Sequence, residues 1–120
     1  MDARGIHHVG VAVEDLDEAL ATYERLFSAR VEHQATLDEQ GVRAASLRIG
    51  EGRVELLEPL AQDTPVGRFL AKRGPGMHHV AFEGAELIDE APREGLFGLQ
   101  VAFVHPDSVH GVLAEVVARG

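Results

Sequence analysis

A chain of 120 residues and 13.0 kDa can bury one core but not two independent ones, so any internal repeat must share it. A formal charge of -9, with 11 Lys and Arg against 20 Asp and Glu, excludes a surface that binds nucleic acid by neutralising phosphates; no apolar run approaches the ~20 residues of a membrane span. The absence of cysteine excludes disulfides and thiolate metal sites, and with no apolar secretion signal the expected location is cytoplasmic. An anionic small molecule is compatible with this charge if Arg43, Arg68, Lys72 or Arg73 lines its entrance.

The first strand is expected over residues 6–13, where Val9, Val11 and Val13 alternate with His8, Gly10 and Ala12. Asp15 followed by Glu18 has the form of a capping box, and Leu16, Ala19, Leu20, Tyr23, Leu26 and Phe27 then recur at helical spacing. That stripe suits the valine face of the strand and leaves the His8 face free. Three strand-like runs follow, "RVEHQAT", "VRAASLRI" and "RVELLEP", so the first module, residues 5–60, reads βαβββ. Asp63, Thr64 and Pro65 open a linker helix over residues 64–73, which "RGPG" ends.

The second module, residues 76–118, begins with "GMHHVAFE" as an echo of "GIHHVGVAV", then passes through a short "AELIDE" to "LQVAFVHP" and "GVLAEVVA". From His8 to Glu55 is 47 residues and from His79 to Glu115 only 36, so about one helix is missing, an average helix being roughly 11 residues. A strand joined to a parallel neighbour needs a long crossover, which three residues from Gly84 to Glu86 cannot make. Either the sequence omits a segment of the working protein or the exposed sheet face is covered by another subunit. We favour omission, because a bare apolar face invites aggregation.

Each module carries a histidine on the small-residue face of its first strand, His8 and His79, and an isolated carboxylate in its last, Glu55 and Glu115. Related by a pseudo-twofold axis, the four would converge on a divalent metal as two imidazoles and two carboxylates. Singly, each such residue is more often structural; the repetition of His-then-Glu carries the expectation. His7 and His78 share the valine face and are assigned to packing, so His7→Ala is expected to leave metal binding intact.

The stretches "GIHHVGVAVEDLDEALATYERLF", "EQGVRAASLRIGEGRVELLEPL", "TPVGRFLAKRGPGMHHVAFE" and "VAFVHPDSVHGVLAEV" resemble the methylmalonyl-CoA epimerase family of the vicinal oxygen chelate superfamily. The resemblance implies an α+β fold in which paired βαβββ modules form a curved, cup-like mixed sheet, here with the second-module helix missing. It implies a homodimer that epimerises methylmalonyl-CoA, an acyl-CoA substrate, with a divalent metal, Co2+ ahead of Mn2+, Ni2+ or Zn2+. It puts His8, Glu55, His79 and Glu115 on the metal ligands, with Glu115 also the catalytic base.

Some members place an acid/base glutamate where this chain has Ala44, and lysine follows "HP" where this chain has Asp107. His105 and Ser108 are candidate polar contacts, equally explained by a strand end turned at Pro106. The alternatives are a glyoxalase I-type lactoylglutathione lyase and a non-catalytic ligand-binding protein of the same fold. The few aromatics, one Tyr, five Phe and no Trp, disfavour the last.

Overall fold

The computed structural model describes residues 3–84, 93–94, 99–104 and 109–119. In chain order the elements are β1 (Ala3–Ala12), α1 (Leu16–Phe27), β2 (Arg30–Leu37), β3 (Val42–Ile49), β4 (Gly52–Pro59), α2 (Pro65–Arg73), β5 (Gly76–Gly84), β6 (Arg93–Glu94), β7 (Leu99–Val104) and β8 (Ala114–Arg119). They fall into two compact units, Gly10–His78 and Met1–Val9 with His79–Gly120. β1 gives its first residues to one unit and its last to the other. The expected "AELIDE" segment, and His105, Asp107 and Ser108, lie outside the described residues.

In the unit of Gly10–His78, α1 forms where its local signals put it. The Asp15 carboxylate accepts the Glu18 N–H at 3.0 Å, and Ser28 closes the helix with a left-handed backbone at φ 54°. A contact distant in sequence also holds its first turn, because the Leu16 N–H donates to Glu58 Oε2 at 2.9 Å. Arg43 donates to Asp17 at 2.8 Å and lies 3.6 Å from Glu58 Oε1, tying α1 to β3 and β4. These charges complement the helix N-terminus, where anions are favoured. Leu16 and Leu20 then pack on Ala45, Leu47 and Leu56, with Val13 and Ala29 in the same core.

The antiparallel ladders β2–β3 and β3–β4 sort the remaining side chains by parity. Ala45 and Leu47, paired with Leu56 and Val54, face α1; Ala44 and Ser46, paired with Leu57 and Glu55, face away. β2 follows with one irregularity: Val31 pairs with Leu47, but His33 pairs with Ser46, so Glu32 is an extra residue in a β-bulge. α2 starts at Thr64, whose hydroxyl accepts the Gly67 N–H at 3.0 Å. Gly67 admits no side chain, since a Cβ there would strike the Ala61 and Gln62 carbonyls.

In the second unit the strand order is β1-β5-β8-β7-β6, with β5 parallel to β8 and the pairs β8–β7 and β7–β6 antiparallel. The sheet is therefore mixed, and with its two helices the fold is α+β, as expected. Glu83 pairs with Val117, Val117 with Val101, and Val101 with Arg93, so these residues lie level across the sheet. This corrects the crossover argument: the parallel neighbour of β5 is β8, which the chain reaches only after β6 and β7. In the first module β2 pairs with β3 through seven of its eight residues, and its entry lies at the far end from the exit of β4.

The outer face of β8 is not bare either. Ala114, Val116 and Ala118 on one side and Glu115 and Val117 on the other are all buried. Ala81, Val101 and Val117 form a small apolar cluster on the Glu115 side.

Leu56 is wholly buried under α1, whereas Leu26 is 60% exposed. We expect Leu56→Ala to cost about 2–5 kcal/mol and Leu26→Ala under about 0.5 kcal/mol in urea unfolding.

Candidate metal centre

Strand parity brings three of the four expected ligands together in one unit. His8 on β1, His79 on β5 and Glu115 on β8 are 5%, 3% and 8% exposed. His8 Nε2 lies 3.0 Å from His79 Nε2, which in turn lies 3.1 Å from Glu115 Oε2; His8 Nε2 and Glu115 Oε1 are 3.9 Å apart. The two rings meet edge to face at 5.1 Å between centroids. Glu115 is level with Ala81, two residues beyond His79 on the same side of β5, which is why its carboxylate reaches that imidazole.

Glu55, in the other unit, sits on β4 opposite Ser46, itself 3% exposed. Some of the residue's surface is accessible, but burial of its carboxyl raises the pKa from 4.5 to about 7. A carboxyl in that condition is one that a bound cation would ionise. The imidazoles of His8 and His79 and the carboxylate of Glu115 make a donor set that can hold a metal ion. Two imidazoles and a carboxylate, without thiolate, suit a first-row divalent ion. Metals of that class stabilise negative charge developing on oxygen.

His7 departs from its expected role. Its Nδ1 lies 2.9 Å from Nδ1 of His8. With Nε2 of His8 turned toward His79, its Nδ1 is engaged by His7, an outer contact of the kind that orients a metal-binding histidine. Alternation of strand faces hid this contact, because adjacent side chains diverge at Cβ but their ring nitrogens need not. In the other unit His78 instead packs on Phe69 of α2 at 4.9 Å between centroids, and burial lowers its pKa.

A protein-family model described as the Glyoxalase/Bleomycin resistance protein/Dioxygenase superfamily matches residues 7–103. The chain belongs to that superfamily. Within it the chain is epimerase-like: it is 35% identical to human mitochondrial methylmalonyl-CoA epimerase, covering 92% of this chain and 72% of that one. The uncharacterized protein YqjC of Bacillus subtilis (strain 168) is 37% identical over 125 residues, covering 92% of this chain and 89% of YqjC. An alignment that long includes positions this chain lacks, in keeping with its shorter second module. Streptomyces coelicolor methylmalonyl-CoA epimerase, solved in complex with 2-nitronate-propionyl-CoA, superposes with a TM-score of 0.94 at 34% identity, covering 99% of each chain.

Two outcomes test the centre. Because Glu55 binds its proton more tightly in the folded chain, its contribution to stability is present below pH 4.5 and is lost as pH rises through about 7. Metal-stripped protein should therefore lose on the order of 3 kcal/mol over that interval, and Glu55→Gln should flatten this part of the urea-unfolding profile. His7→Ala should weaken divalent-metal affinity by about 10-fold or more in chelator competition while leaving the fold intact.

Proposed function

We propose that the protein is a metal-dependent epimerase of methylmalonyl-CoA. The observation that carries this reading is the buried His8–His79–Glu115 cluster, with its 3.0 and 3.1 Å contacts. The desolvated carboxyl of Glu55 and the epimerase relatives support it.

His8, Glu55, His79 and Glu115 are the ligands in this reading, and cobalt(II) is the ion the family resemblance favours. When bound, such an ion supplies electrophilic stabilisation to two oxygens of a malonyl-type thioester, lowering the cost of an enolate. Glu115 removes the α-proton, and delivery of a proton to the opposite face of the carbon inverts the centre. The buried surround of Ala81, Val101 and Val117 excludes water beside Glu115 and strengthens charge interactions there. A homodimer is the assembly the resemblance implies. Among the described residues no helix is long and apolar enough to cross a membrane.

Proton NMR of methylmalonyl-CoA in heavy water should show loss of the α-proton signal with cobalt-loaded protein and none with chelator-treated protein. Glu115→Gln should slow this loss by about 10²-fold or more. A folded, metal-loaded protein that leaves the signal untouched would overturn the reading and direct the search to another chelating substrate.

A further inference from the structure

The unit of Met1–Val9 and His79–Gly120 lays unlike side chains across four neighbouring strands. In the strand order β1-β5-β8-β7, His8, His79, Glu115 and Phe103 come one from each. Glu115 is level with Ala81 of β5 on one side and directly opposite Phe103 of β7 on the other. Opposed residues of an antiparallel pair share a face, with Cβ atoms about 5 Å apart. Val101, two residues from Phe103 and so on the same face, belongs to the apolar cluster with Ala81 and Val117.

Burial on this face falls away toward Phe103. His8, His79, Ala81, Val101, Val117 and Glu115 are all buried, whereas Phe103 is 38% exposed, so part of its ring is open to whatever approaches the carboxylate. An exposed phenylalanine by itself is ordinary. Its position gives this one meaning. The Glu115 carboxylate reaches toward the histidines, with Oε2 3.1 Å from His79 and Oε1 3.9 Å from His8, so the line is polar at one end and apolar at the other. On the level of Glu115, Ala81 offers only a methyl group and Phe103 a whole ring.

We propose that Phe103 is a specificity-determining residue that limits the length of the alkyl substituent on the α-carbon of the substrate; this rests on the epimerase reading. A malonyl-type thioester carries two polar carbonyl groups and one small alkyl group on a shared carbon. Its oxygens match the imidazole end of the line and its alkyl group the phenyl end. Proton transfer to Glu115 needs the α-carbon about 3–3.5 Å from a carboxylate oxygen. A substituent on that carbon is then within reach of a ring whose Cβ is about 5 Å from that of Glu115. The ring takes a methyl group out of water by contact, and a longer chain has to displace it.

The test uses the metal-loaded full chain, with α-proton exchange in heavy water measured separately on methylmalonyl-CoA and ethylmalonyl-CoA. Phe103→Ala should raise the ratio of kcat/KM for the ethyl over the methyl substrate about 10-fold, the scale of one methylene in an apolar pocket, and Phe103→Leu about 3-fold. Both variants should bind metal as the wild type does. A merely structural role would slow the two substrates alike and leave the ratio unchanged. A ratio within twofold of wild type, or one that falls, overturns the assignment; should Phe103→Ala fail to fold, Phe103→Leu decides it by the same limit. Failure of the wild-type protein to exchange either substrate would instead remove the epimerase reading beneath it.

Discussion

Removing ionisable groups from water is the constraint around which this molecule is arranged. His8, His79 and Glu115 are all nearly inaccessible, and such groups persist in a fold only when they satisfy one another or a bound ion. Their mutual contacts at 3.0 and 3.1 Å do so in part, with His7 holding the outer nitrogen of His8. Glu55 shows the same constraint from the other side: burial keeps its proton on.

The backbone serves that arrangement through the period of two. β3 and β4 each offer one face to α1 and the other away from it, so Leu56 and Glu55 are neighbours in sequence with opposite surroundings. The second module keeps the order of the first, with its last strand beside its first. Among the described residues its apolar cluster consists of Ala81, Val101 and Val117.

Most of the fold was legible because its signals are local. The Asp15 cap, the Thr64 cap and the alternation in β1 and β5 each involve residues within a few positions of one another. The pairing of His8 with His79 was legible too, though by repetition and not by locality. What escaped were features that depend on which strand lies beside which. The Glu58 bond to the first turn of α1 and the contact of His7 with His8 have no mark in the local pattern.

By itself the sequence determined the strand periods, the two helix starts, the duplicated His-then-Glu pattern and the absence of thiolate ligands, all of which follow from residue type and spacing along one chain. Only the tertiary structure decided that Glu55 is desolvated, that the parallel neighbour of β5 is β8, and that Glu32 is bulged with His33 turned onto the Glu55 face. Those outcomes depend on inter-strand register, where a slip of one residue exchanges the two faces of a strand, and register is a property of pairs of segments that no single segment specifies.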